Sequence, residues 1–484
     1  MRILFAASEA APFAKTGGLA DVLEGLPRAL AAMGHEVAVV LPRYRGIGTK
    51  RVVVPSLTVP LGSTIHFPTI HEGDPLHGVR YYFVDAAEYF DRGGLYGEGG
   101  WGFGDNPERY TLYARAVIEI AKQLWLPDVF HCHDWQGALV PVLLRGVYGY
   151  DPAFARIPVV FTVHNIAYQG RFGSDVLGRI GLPGHLFNAN ALEFWGDVNF
   201  LKGGMLFADY LTTVSRKYAE EIQTPQFGYG LDAVVRSRAS RLTGILNGAD
   251  YSTWNPETDR WIKAHYSAGD LSGKATCKRD LLRELRLPEE NNDRMVVGIV
   301  SRFVEQKGFD LIAEVGREFL DEDVAVVALG SGDARYEAFF RMLAEARADR
   351  PERVGVRIGF DNVLAHKIKA GADLFLMPSR YEPCGLSHLY AMRYGTIPLV
   401  RATGGLDDTV EPFDLKTMQG NGFKFWDATG PALLDTLRWA LNCYRNPPAW
   451  AKLMQNAMAQ NFSWATAAEK YVEVYEKARA VRAG

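Results

Sequence analysis

The feature that most constrains this chain is a rhythm that runs, stops and starts again. Short apolar runs rich in β-branched residues alternate with helical patterns up to about residue 246, lapse, and resume near 293. In the first half the runs are 2–7, 36–41 (stopped by Pro42), 79–84, 129–133, 158–163 and 210–214, with helical patterns at 19–34, 107–124, from about 136, and at 198–208. In the second half the runs are 295–300, 324–329, 354–358, 374–377 and 397–400, with helices expected at 308–320, 334–348, 362–371, 386–394 and from about 405, and a tail helical throughout from about 430. Repeated β–α–β alternation predicts a mainly parallel, doubly wound sheet. Two such series in tandem predict an α/β protein of two Rossmann-like lobes facing each other, with the cleft between them as the default site, because ligands of these sheets bind outside the carboxyl ends of the strands.

Two stretches depart from the rhythm in the first half. Residues 50–84, rich in Val, Thr, Pro and Tyr, read as an antiparallel excursion, and 92–106 as a glycine-rich loop carrying Trp101 and Phe103. The lapse at 247–292 holds Asn247-Gly248, Asn255-Pro256, Ser272-Gly273 and a polar run from Glu289 to Asp293, and reads as an interdomain connection with some helix near 274–285. The expected organisation is therefore a first domain at 1–246, the connection, a second domain at 293–460 and a terminal helix at 461–484. A chain of 484 residues is in any case too long for one core.

Charge excludes some partners. A formal net charge of −3 gives no broad basic field for nucleic acid or a membrane surface, so any phosphate must be bound locally. Cys132, Cys277, Cys384 and Cys443 have neither metal nor redox spacing and read as free thiols of a reducing compartment. The apolar start is too short for a secretory signal, and no run of about eighteen apolar residues follows, so a cytoplasmic location is expected.

Within these two lobes the motifs fall at strand ends. A strand, then Lys15-Thr-Gly17-Gly18, then a helix, makes an anion site: the helix start offers unpaired N–H groups, glycine lets a ligand approach the backbone, and Lys15 adds a mobile charge. Its glycine spacing lacks a full dinucleotide fingerprint. His131-Cys-His133-Asp134-Trp135-Gln136 ends a strand. Its two histidines read either as metal ligands or as one face of a hydrogen-bonded network. The network is preferred, because no third strong ligand follows at helix spacing. Asp134 and, one strand on, Asn165 of Thr162-Val-His164-Asn165 offer groups suited to sugar hydroxyls. His164 stands evenly between a satisfied structural histidine and a functional one.

The second half mirrors this. Arg302 and Lys307 follow its first strand, one cation loop per lobe. Read alone they are solvated surface cations. Read with Lys15 they neutralise a diphosphate, each contributing roughly 4 kcal/mol at 4 Å and an effective dielectric of 20, before desolvation. Glu382-Pro-Cys384-Gly385-Leu386 turns from a strand into a helix. A carboxylate there would repel an anion, a conflict resolved if Glu382 binds hydroxyls. Cys384 lacks a histidine placed by sequence to activate it. Thr403-Gly404-Gly405 repeats the glycine turn without a lysine and reads as a tight turn or a second phosphate-facing helix end.

Taken together and in order, Lys15 to Val22, His133-Asp134-Trp135, Thr162 to Asn165, Asn247-Gly248, Arg302 with Lys307, Glu382 to Leu386 and Thr403 to Val410 resemble the bacterial glycogen synthases and plant starch synthases. The resemblance implies the GT-B architecture, with a deep interdomain cleft and a C-terminal helix crossing back to the first domain. It implies glucosyl transfer from ADP-glucose to the non-reducing 4-hydroxyl of an α-1,4-glucan with retention, without metal or other cofactor. By motif, Lys15, Gly17, Gly18 and Asp21 resemble donor-binding residues, and Arg302 and Lys307 the cations that neutralise departing ADP. Glu382 resembles the residue holding donor glucose hydroxyls, and His164 and Asp134 resemble groups near the reacting sugar. Asn165, Asn247, Cys384, Gly385, Leu386, Thr403, Gly404 and Gly405 resemble substrate-binding positions. Ser387-His388 stand where Thr-Gln is usual, and Gln136 where His is frequent. Rival readings are a related synthase preferring UDP-glucose, a pyridoxal-phosphate phosphorylase of the same architecture, and a non-catalytic two-lobed sugar-binding protein.

Overall fold

A computed structural model describes residues 1–49, 51–345 and 352–483. The chain divides into two compact units, one formed by Met1–Gly248 together with the stretch from Trp464 on, the other by Ala249–Ser463.

The first unit is built on a nine-stranded sheet. Its order runs Leu242–Gly244, Tyr210–Thr213, Val159–Val163, Val129–His133, Arg2–Ala6, Glu36–Pro42, Val79–Asp85, Thr69–Glu72, Arg51–Val54. The first seven are parallel, and the last two pair antiparallel, as expected of the 50–84 excursion. Lys50 lies outside the described residues. The central strands are almost wholly buried, which is why they read as unbroken apolar runs rather than as alternating ones. The stretch expected to be helical at 198–208 opens instead with strand Asp197–Asn199, whose Asn199 then caps helix Phe200–Phe207 by accepting from Lys202 N. A β-bonding edge at Arg171–Gly173 overrides helical patterning there.

The second unit carries six parallel strands in the order Val354–Ile358, Val324–Gly330, Met295–Val300, Leu374–Met377, Ile397–Arg401, Phe423–Phe425. Numbered along the chain this is 3-2-1-4-5-6, the Rossmann order, and strands Val79–Asp85 through Tyr210–Thr213 of the first unit repeat it. In each sheet the strand order therefore reverses beside its first strand. That is the switch point at which crossover connections diverge to opposite faces and leave a crevice. The helix expected at 308–320 is broken at Val315 into Phe309–Glu314 and Gly316–Asp321. The one expected at 334–348 runs Ala334–Glu345, its last three positions falling outside the described residues. The tail expected to be helical throughout is three helices, Gly430–Tyr444, Pro447–Met458 and Trp464–Ala483, with Pro447 and Pro448 opening the second.

Residues 249–292, expected as a connection, fold onto the second unit. Trp254 stacks on His366 at 3.8 Å, and Asp259 accepts from His366 Nδ1 at 2.6 Å and Tyr394 O–H at 2.5 Å. Trp464–Ala483 packs within the first unit. Tyr475 hydroxyl bonds to His131 Nδ1 at 2.8 Å, and the Trp464 indole lies where a side chain on Gly25 would stand. No helix among the described residues is long and apolar enough to cross a membrane.

Candidate functional site

In the first unit the switch point lies between Arg2–Ala6 and Val129–His133; the Lys15 turn and Asp134 follow these two strands, and His164 and Asn165 follow the next one, Val159–Val163. The turn after the first strand is organised by a residue sequence reasoning passed over. The buried carboxylate of Glu9 accepts from Thr16 N at 2.6 Å, Thr16 Oγ1 at 2.6 Å, Gly17 N at 3.1 Å and Tyr96 O–H at 2.6 Å. Two N–H groups expected to face a ligand anion are thus already taken by an anion of the protein, drawn to the helix start by the same physics. Lys15 Nζ pairs with Asp21 at 2.5 Å, largely in water, an arrangement cheap to exchange. Nothing lies within 4 Å of where a Cβ would stand on Gly17 or Gly18, so internal packing does not demand glycine at either.

Asp134 follows the neighbouring strand at φ 51°, a left-handed conformation that aspartate tolerates. Its half-buried carboxylate accepts from His164 N at 2.7 Å. Burial pushes this carboxyl up to about 7. The His164 and Asn165 backbone N–H groups oppose the rise, and the nearby Glu9 charge adds to it. Asn165 Oδ1 accepts from Ala167 N at 3.0 Å, an Asx turn that holds the segment after strand Val159–Val163. Burial lowers His164 to about 3, so the ring is neutral at physiological pH.

The two strand histidines form the network that alternation suggested. His131 bonds Tyr475 hydroxyl at 2.8 Å and Thr162 Oγ1 at 2.6 Å, and His133 Nδ1 bonds His164 Nε2 at 2.9 Å. Asn247 is buried near the end of this unit, its Oδ1 without a partner among the described residues.

In the second unit the switch point lies between Met295–Val300 and Leu374–Met377. Lys307 Nζ donates to Glu382 Oε2 at 2.5 Å, and Ser379 Oγ donates to the same oxygen at 3.0 Å. Both partners of the pair are mostly withdrawn from water. The electrostatic conflict seen in the sequence is thus resolved inside the protein: the cation expected to meet the diphosphate stands on the carboxylate expected to meet hydroxyls. The two loops are stitched by Arg380 N donating to Gln306 O at 2.9 Å and Gln306 Nε2 donating to Tyr381 O at 3.2 Å. Arg302 is exposed beside them.

The glycine turn holds Glu382 from behind. Gly404 has φ 45°, and a Cβ there would stand 2.0 Å from Glu382 O, while Gly405 N donates to that same carbonyl at 3.1 Å. Glycine is therefore required at 404 by the close approach of the Glu382 backbone. Thr403 and Cys384 are buried, and Gly385 and Leu386 half-buried, around the same loop.

The predicted residues thus gather into one group in each unit around its own sheet's switch point, except Asn247, which follows the edge strand Leu242–Gly244 and is not brought to it. Sequence reading missed Glu9 and Ser379 as partners, and also Phe360. That ring is 93% exposed just past the carboxyl end of Val354–Ile358, on the rim that carries Arg302. The position of Glu9, three residues past a buried strand, was the one signal available in advance.

Comparison with known proteins gives a consistent result. Residues 2–237 match the family described as starch synthase catalytic domain, and 284–458 the family described as glycosyl transferases group 1. A glycogen synthase of Koribacter versatilis is 55% identical over 485 residues, covering 100% of this chain and 99% of that one. One from Anaeromyxobacter sp. is 49% identical, with 98% and 99% covered. Among solved structures, the catalytic domain of starch synthase IV from Arabidopsis thaliana, bound to ADP and acarbose, superimposes with a TM-score of 0.89 at 34% identity, covering 99% of both chains.

Proposed function

The chain belongs to the glycogen and starch synthase family of retaining glycosyltransferases, with the GT-B architecture of two Rossmann-like units, and we propose that its donor is ADP-glucose and its acceptor the non-reducing 4-hydroxyl of an α-1,4-glucan. The observation that carries this reading is the Lys307–Glu382 pair at the second sheet's switch point. A sugar diphosphate presents hydroxyls at one end and two or more negative charges at the other, and this pair offers one partner for each. The ADP held by the related Arabidopsis enzyme supports adenine over uracil.

On donor binding, glucose hydroxyls replace Lys307 on the Glu382 carboxylate, and the freed ammonium turns to the diphosphate beside Arg302. Their attraction grows as charge builds on the leaving ADP, which is the requirement for catalysis rather than mere binding. The exposed Phe360 ring is suited to stack on the base. Lys15 is assigned to the diphosphate by its motif, and Gly17, Gly18 and Asp21 complete that turn. His164, Asp134 and Asn165 serve the sugar. Asn247, Cys384, Gly385, Leu386, Thr403, Gly404 and Gly405 shape the donor's surroundings. The acceptor attacks from the face the phosphate leaves, with an ADP oxygen taking its proton. The cations supply the charge compensation, so no cofactor is invoked, and the reaction proceeds in the presence of a chelator. Four free, buried cysteines suit the reducing cytoplasm as its compartment.

Single-turnover assays with ADP-glucose and with UDP-glucose on a glycogen primer test the reading. Glycogen-dependent ADP release that outpaces UDP release is the expected result. Faster transfer from UDP-glucose would overturn the donor, and glucose release without glucan extension would overturn the transfer.

A further inference from the structure

The histidine pair behind the first unit's site has a polarity that its surroundings decide. His133 is fully buried and has two nitrogens to satisfy. Its Nδ1 lies 2.9 Å from His164 Nε2, and its Nε2 has no partner among the described residues. His131, tilted against it at 4.2 Å between ring centres, cannot help, because both its nitrogens are engaged by Tyr475 and Thr162. Phe5 lies on the ring at 5.6 Å with its plane only 16° away, so it presents no face toward an N–H in the His133 plane.

Only two arrangements of the neutral pair place one proton in the His133–His164 bond. In one, His133 carries its proton on Nε2, burying an N–H donor with no acceptor, and accepts from His164 through Nδ1. In the other, His133 carries it on Nδ1 and donates to His164 Nε2, leaving a bare lone pair at its own Nε2. Orphaned buried N–H groups are rarer than under-used buried acceptors, so the second arrangement prevails. Burial lowers the pKa values of both rings, which keeps the pair neutral.

We propose that His133 is a positioning residue that fixes His164 as the Nδ1–H tautomer, so that His164 meets the reacting sugar as a hydrogen-bond donor. His164 Nε2 accepts from His133 and cannot carry the proton, so its Nδ1 must. That nitrogen belongs to a half-buried ring and has no protein partner among the described residues. Its chemical complement is an oxygen acceptor, a sugar hydroxyl or ring oxygen. His133 touches no substrate and acts through the tautomer alone. The tautomer itself follows from the ligand-free geometry, whereas its use rests on the sugar-side role proposed for His164.

Long-range proton–nitrogen correlation spectra of the full chain, labelled in its histidines, read the tautomer directly, and a His164→Asn variant assigns the signal. Wild type should show the His164 proton on Nδ1. In His133→Asn the side-chain amide N–H replaces the Nδ1–H, so the tautomer should persist and kcat stay within about threefold. In His133→Leu the donor is gone, so the two tautomers should mix and kcat fall at least tenfold with donor KM changed less than threefold. A wild-type His164 proton on Nε2 overturns the inference, and this result does not depend on how His133→Leu folds. The expected wild-type tautomer with unaltered kcat in His133→Leu overturns the positioning role, whereas an unaltered kcat in His164→Asn overturns the sugar-side role on which it rests.

Discussion

Asp134 titrates in a range where its protonation can be followed, and the consequence for stability has a definite sign. Burial holds the folded carboxyl at about 7, against 3.8 for an ordinary aspartate. A tenfold change in proton affinity corresponds to about 1.4 kcal/mol, so the folded state favours the protonated form by about 4 kcal/mol. Partial solvent contact at this half-buried group trims that to about 2–4 kcal/mol. Between pH 4 and 7 the folded protein keeps a proton the unfolded chain has lost, so raising the pH through this window removes stability, and above 7 the loss is complete.

The perturbation is Asp134→Asn. It keeps the oxygen that accepts from His164 N and the tolerance for a positive φ, and removes only the titration. Hydrogen exchange of the buried amides in Val159–Val163 reports the opening free energy of this unit alone, which matters in a chain of two compact units. Between pH 5 and 8 wild type should lose at least about 1.5 kcal/mol relative to the variant, and difference infrared spectra should show a carboxyl titrating near 7. A carboxyl titrating below 5, with parallel stability profiles, would refute the burial argument.

Three other substitutions probe the same geometry. Glu9→Gln removes a charged acceptor shared by Thr16, Gly17 and Tyr96, worth about 1.5–3 kcal/mol per bond; the Lys15 turn should loosen and donor KM rise at least fivefold in steady-state assays. Gly404→Ala places a methyl 2.0 Å from Glu382 O, so kcat should fall at least a hundredfold while the first unit's Val159–Val163 amides keep their exchange protection. Lys307→Ala should lower kcat at least tenfold, about 1.4 kcal/mol, and a variant with unchanged kcat and raised KM alone would contradict a transition-state role.

Much of the fold was legible because parallel strands buried on both faces announce themselves as unbroken apolar runs. What was not legible depended on partners distant in sequence. The helix break at Val315 is marked in the sequence only by the Gly316 that follows it, and Asn199 becomes a cap only because the strand before it bonds to Arg171–Gly173. The site was legible as a set of residues but not as a set of contacts. Lys307 and Glu382 stand 75 residues apart, and only the adjacency of their two strands makes them a pair. His133 and His164 are joined in the same way by neighbouring strands. Glu9 was the nearest miss, since an isolated carboxylate just past a buried strand, before a glycine turn, was open to a local reading.

The placement of Trp464–Ala483 within the first unit has a consequence for synthesis. Translation delivers the nine-stranded sheet first, but the indole that fills the space over Gly25 and the tyrosine that bonds His131 emerge only after the roughly two hundred residues of Ala249–Ser463. At 5–20 residues per second that is an interval of roughly 10–40 s. Throughout it the earlier-made unit sits on the ribosome with the face of strands Val159–Val163 and Tyr210–Thr213 that this helix packs on left uncovered. The half of the protein that is begun first is finished last, and the nascent chain needs shelter for that face until its own final helix arrives.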